Sequence, residues 1–179
     1  SRREILEDFS NEAHPLLHGA GEYCRAAPMW EEKALRLQRE GKIKQAVGNW
    51  GHAAKARTAL GQLPAAWQVH DRMATLASRL VGPTPARMEV GSVKYDLAIA
   101  VDEGWEDVLG AFERTLQKRP TWYNFQLAGV RVAAARSYAR LGKTDEAMAL
   151  VCEILPALER APAWALGYTL VACDAAAAL

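Results

Sequence analysis

Seven breaks punctuate the chain, at Gly41, Gly61, Gly82 with Pro83, Gly104, Pro120, Gly142 and Pro162, and the intervals between them run from 16 to 22 residues. Each interval has room for one helix of about 15 to 20 residues and a short turn, so consecutive helices run antiparallel. The apolar residues inside the intervals keep helical spacing. In "DEAMALVCEILPALER" they are Ala147, Leu150, Val151, Ile154, Leu155 and Leu158, and in "GWEDVLGAFERTL" Trp105, Val108, Leu109, Phe112 and Leu116. In "LPAAWQVHDRMATLASRLV" the stripe runs Leu63, Ala66, Trp67, His70, Met73, Ala74, Ala77 and Leu80. Steps of three and four place each set on one helix face. No period-two alternation extends far enough to call a strand. With "RREILEDFSNEAH" and "MWEEKALRLQRE" added, the pattern predicts an all-α chain of about nine helices.

Intervals this even call for a repeat test. A glycine followed five residues later by alanine occurs in "GKIKQA" (Gly41, Ala46), "GQLPAA" (Gly61, Ala66) and "GKTDEA" (Gly142, Ala147). Glycine supplies the positive φ at a helix end, and alanine lets the second helix approach the first. In "VAAARSYARLGKTDEAMALVCEIL", Tyr138, Leu141-Gly142 and Ala147 are spaced as in the tetratricopeptide repeat. In "MWEEKALRLQREGKIKQAVGNWGHA" the matching residues are Trp30, Gly41, Ala46, Trp50 and Ala53; in "GWEDVLGAFERTLQKRP" they are Phe112, Leu116 and Pro120. The chain resembles that family, in the longer and irregular form found in bacterial signalling regulators such as LuxR-type transcription factors. Gly41 and Gly61 lie 20 residues apart, shorter than the usual repeat of about 34. The resemblance implies a single helical-repeat domain over residues 1–179, an α-solenoid with a right-handed superhelix.

Charge excludes some functions. With 22 Lys+Arg against 21 Asp+Glu the net charge is +1, which gives no global attraction to nucleic acid or an anionic membrane. Cys24, Cys152 and Cys173 form no Cys-x-x-Cys and cannot all pair, which points to a reducing cytoplasm. "SRREILEDFS" lacks the apolar core of a signal peptide, and "AWALGYTLVAC" is too short to span a bilayer. The first residue, Ser1, and the uncapped "DAAAAL" at the other end suggest a segment of a larger polypeptide.

Gly142-Lys143-Thr144 ends like a phosphate loop, but Ser137 stands where the first glycine belongs and no strand precedes it. The expectation is an inter-helix turn, with Thr144 and Asp145 as amino-terminal caps and Lys143 solvated. "GAGEYC" (Gly19 to Cys24) misses the dinucleotide fingerprint and reads as a connection between the first two helices. "VGSVK" lacks the second glycine of a nucleophile elbow. His14 and His18, with Glu22 and Cys24 beyond, are too loosely framed by Pro15 and Gly19-Ala20-Gly21 to predict a metal site. His70 reads as a packed histidine with one hydrogen-bond partner, and His52 has no assigned role. Trp30, Trp50, Trp67, Trp105, Trp122 and Trp164 fall roughly one per helix, as packing between helices requires.

These readings predict no enzyme and no cofactor or metal. The expected role is a non-enzymatic protein- or peptide-interaction or regulatory module of a larger bacterial signalling or transcription-regulatory protein. Its partner would be a protein, a peptide or a neighbouring domain of the same chain, with no nucleic acid or membrane contacted by this segment. Arg131, Arg136 and Arg140 lie on nearby faces of one helix, which suits either a solvated face or a partner. The resemblance implies that the first helix of each pair lines a concave surface, which makes Glu31, Leu35, Gln38, Lys94, Val132, Arg136 and Arg140 the partner-facing positions. Val132 and Arg136 stand where the family's carboxylate clamp has lysine and asparagine, so that specificity is not carried over. The alternative is a small-molecule sensor or helical enzyme domain, with a pocket at Trp122, Tyr123 and Phe125.

Overall fold

The computed structural model describes residues 21–82, 84–117 and 124–158; side chains are described for these except 115–129 and 155–158. The described residues form seven α-helices and no strand: α1 Tyr23–Arg39, α2 Ile43–Ala59, α3 Leu63–Ala77, α4 Pro85–Val101, α5 Trp105–Gln117, α6 Asn124–Arg140 and α7 Thr144–Leu158. The helices expected before Gly19 and after Pro162 lie outside the described residues. No described helix is long and apolar enough to cross a membrane. The chain divides into two compact units, residues 1–100 and 101–179.

Three of the turns share one construction. After α1, the N–H of Gly41 donates to the Gln38 carbonyl (3.1 Å) and that of Lys42 to the Leu37 carbonyl (2.9 Å). The same pair of bonds forms at Gly61 with Gln62, and at Gly142 with Lys143. This is the Schellman arrangement, which satisfies carbonyls a helix end leaves open and needs a left-handed residue. Gly142 has φ +71°, and an added Cβ there meets nothing within 4 Å. The cost of a side chain is therefore purely conformational. Gly142→Val is expected to destabilise the fold by about 1–2 kcal/mol. Urea unfolding of the two proteins measures it, and an unchanged midpoint would show that the turn does not depend on glycine.

Two local expectations are corrected. Thr144 and Asp145 do not cap α7; they are its first two residues. The Schellman turn uses only Gly142 and Lys143, so the next helix begins at once, and the Lys143 carbonyl accepts from Ala147 (3.1 Å). Asp145 and Glu146 instead place negative charge in the first turn, where the helix dipole favours it. Lys143 is exposed, with its ammonium 5.7 Å from the Tyr138 ring centroid. "GAGEYC" is not all connection, because α1 starts at Tyr23 and runs through Pro28. Pro28 is the sixth residue of α1, past the first turn, so α1 forgoes the bond that an N–H there would make to the Cys24 carbonyl.

In the first unit, Ala46 and Ala66, each five residues after a turn glycine, are completely buried. They join Trp30, Val47, Trp50, Val69, Met73, Leu76, Val93 and Leu97 in one core. Polar links tie the helices pairwise. Arg57 on α2 donates to Glu31 on α1 (2.9 Å), and the His52 ring lies 4.6 Å from that of Trp30. Arg87 on α4 donates to the Ala77 and Ser78 carbonyls at the end of α3. Lys55 on α2 reaches Glu89 on α4 (2.8 Å). Gly51 makes room for this pair: a Cβ there would lie 2.7 Å from the Glu89 Cγ.

In the second unit α6 packs against both α5 and α7. Val130, Val132, Ala133, Ala134, Ala135 and Ser137 are all buried, a spread wider than one stripe, as a helix between two neighbours requires. Ser137 satisfies its hydroxyl on the Ala133 carbonyl (2.9 Å). Trp105, Val108, Leu109 and Phe112 are buried on α5, and Ala147, Val151 and Ile154 on α7. Tyr138 donates to Glu113 on α5 (2.5 Å), and that carboxylate, with burial helping, pushes the phenol up to about 12.

Candidate interaction groove

The partner-facing residues expected from the sequence separate into three groups. Val132 is 2 % exposed and belongs to the packing of α6. Arg140 is held within its own unit: its Nε lies 3.5 Å from the Asp102 carboxylate and its guanidinium 5.9 Å from the Trp105 ring centroid. Asp102, with φ +53°, also accepts from the Trp105 indole (3.1 Å). Arg131 pairs with Glu153 on α7 (3.3 Å), Arg136 is half-buried on α6 and Lys94 half-buried on α4. Glu31 is bound by Arg57. Trp122 and Tyr123 lie outside the described residues, as does the side chain of Phe125.

Leu35 and Gln38 do meet at one place. A groove of about 450 Å³ in the first unit is lined by Leu35 and Gln38 from α1, Trp50 from α2, and Asp71, Arg72, Thr75, Leu76 and Arg79 along and just beyond α3. Its chemistry follows from helix periodicity. Leu35 and Gln38 are three apart on α1 and Arg72 and Thr75 three apart on α3, so each pair shares a helix face, and Arg79 follows in the turn beyond α3. Trp50 and Leu76, at 2 % and 3 % exposure, form its buried floor, and Leu35, 39 % exposed, is the apolar side chain open to solvent. The Arg72 guanidinium stands 5.9 Å from the Trp50 ring centroid, within range of a cation–π attraction. The Trp50 indole nitrogen is buried without a hydrogen-bond partner.

His70 adjoins this wall. It is buried, edge-on to Trp67 with ring centroids 5.5 Å apart, and its Nδ1 lies 3.4 Å from Asp71. The expectation of one hydrogen-bond partner is not met, because the Val90 backbone contacts the ring as well as Asp71. Burial pushes the imidazole pKa below its ordinary value, the Lys94 charge adds to that, and Asp71 opposes it. No group of three or more His, Cys, Asp or Glu among the described residues could hold a metal ion. Gly142-Lys143-Thr144 is a helix-to-helix turn, and no strand stands before it.

The polar stripe Arg72-Thr75-Arg79 was not recognised in the sequence, because alone it is indistinguishable from a solvated helix face. Only the packing of α1 and α3 around Trp50 turns it into a wall. No family model, curated protein or solved structure matches the chain. The functional reading therefore rests on the geometry of its own residues.

One ionisable cluster lies elsewhere in the unit. Burial pushes the Asp96 carboxyl up to about 6, Glu89 adds to that and Lys55 opposes it. A raised carboxyl pKa means that the folded chain holds a proton the unfolded chain has released, between pH 3.8 and about 6. The stabilisation from Asp96 is thus fully present below this window and is lost as pH rises through it. Asp96→Asn is expected to make stability change less steeply downward between pH 4 and 7, read as the difference between urea midpoints of the two proteins. His70, with its pKa lowered, acts in the opposite sense in both proteins and cancels in that difference. Parallel curves would show that Asp96 titrates normally.

Proposed function

We propose that the described helices belong to a non-enzymatic protein-interaction module, a tetratricopeptide-like array within a regulatory protein, that takes an extended peptide segment between α1 and α3. The observation that carries this reading is the groove itself: apolar contacts from Leu35, Leu76 and Trp50, flanked by Gln38, Thr75, Arg72 and Arg79. Helix-pair arrays suit this role, because stacking leaves a continuous surface on one side. An exposed apolar residue, Leu35, over a buried apolar floor and bordered by polar groups is what a segment-binding surface presents.

Selection of a displayed random-peptide library on the full chain tests the proposal. Enriched peptides should compete with one another and lose binding to Leu35→Asp, whose substitution places a charge at the exposed edge of the groove. Failure of any peptide to enrich, or binding indifferent to Leu35→Asp, would refute it.

A further inference from the structure

Among the described residues no carboxylate neutralises the two arginines of the groove wall. Among the described residues neither Arg72 nor Arg79 forms a salt bridge, and the only acidic lining residue, Asp71, faces His70 at 3.4 Å. Both arginines are exposed, so each is a planar donor fork suited to a carboxylate. Beside them lie Leu35, Leu76 and Trp50. We infer that the groove binds an acidic peptide segment carrying large apolar side chains, with carboxylates on Arg72 and Arg79 and apolar side chains against Leu35, Leu76 and Trp50. This inference rests on the peptide-binding reading above and specifies the chemistry of the peptide.

Spacing refines the ligand. Arg72 lies on α3 and Arg79 seven residues on, in the turn just beyond it, a span on the order of 10 Å. In a polyproline-II segment every third side chain falls on the same face, about 9 Å apart. Acidic residues at every third position therefore match the two guanidinium groups, with apolar residues between them. Thr75 and the Gln38 amide offer hydrogen bonds to the peptide backbone. Two effects oppose an anion here, the negative end of the α1 and α3 dipoles and the exposed Asp71 carboxylate in the same lining. Against the one Asp71 carboxylate stand two guanidinium groups, each able to hold a carboxylate through paired charge-assisted hydrogen bonds, and the dipole effect at an exposed helix end is weak. The arginines win.

The test is fluorescence anisotropy of the full chain with three labelled decapeptides. One has Glu at every third position and Leu between; the others carry Gln or Lys in place of Glu. The Glu peptide should bind, and Arg72→Glu with Arg79→Glu together should weaken it at least tenfold. Raising the salt to 0.5 M should weaken it as well. The Gln peptide should bind about tenfold more weakly than the Glu peptide, and the Lys peptide should not bind. Both substitutions are at exposed positions, and an unchanged melting curve confirms that the variant is folded. If the Gln or Lys peptide binds as tightly as the Glu peptide and Leu35→Asp abolishes that binding, the groove reading stands and the acidic specificity is wrong. If none of the three binds at millimolar concentration, the acidic specificity is wrong, and the library selection decides the groove reading separately.

Discussion

Trp50→Ala is expected to lower the unfolding free energy of the chain by about 3–5 kcal/mol, the usual range for truncating a buried aromatic. Trp50 is 2 % exposed and lies among Trp30, Val47, Ala53 and Leu76 in the core of the first unit. Nothing in a close-packed interior collapses fully into a void that large. Because whole domains hold only about 5–15 kcal/mol, this one change removes roughly a fifth or more of what keeps the fold together. Urea denaturation followed by far-ultraviolet circular dichroism measures it. A loss under 1 kcal/mol would mean that the core does not centre on this residue. Leu35→Ala, at an exposed groove position, serves as the comparison and should cost far less.

Ala46→Leu should cost about 1–3 kcal/mol, for the opposite reason. Ala46 is completely buried in the first turn of α2, where its N–H closes the first bond onto the Lys42 carbonyl (2.9 Å). Three extra carbons there force α1 and α2 apart. Ala59→Leu, at the exposed end of the same helix, adds the same atoms without the crowding and should be close to neutral. Equal effects at the two positions, measured by thermal melts, would remove close helix approach as the reason for alanine.

These substitutions also mark what the sequence disclosed. Gly41, Gly61 and Gly142 could be placed at turns because positive φ is a backbone requirement that only glycine meets cheaply, and all three adopt it. The alanine five residues later was readable for the same kind of reason, a steric limit on a single residue. The stripe of α5 was also legible, since Trp105, Val108, Leu109 and Phe112 have only one way to be buried together. Less legible was anything decided by two helices at once. Val132 sits where a first-helix residue can face outward, yet α6 lies between α5 and α7 and encloses it. Arg140 and Arg131 look like an open basic face until Asp102, in the turn before α5, and Glu153, on α7, are brought to them. Leu35 and Gln38 were named from the sequence, while Arg72, Thr75 and Arg79, their counterparts on α3, were not.

The repeated turn has a kinetic consequence. Each Schellman joint sets a helix beside its own neighbour in sequence, so α1 meets α2, and α2 meets α3, across only a few residues of connecting chain. Closing such short loops costs little entropy, and chains dominated by local contacts fold within microseconds to milliseconds. The glycines at 41, 61 and 142 thus shorten the conformational search, and any helix pair can nucleate structure without waiting for a distant part of the chain to arrive.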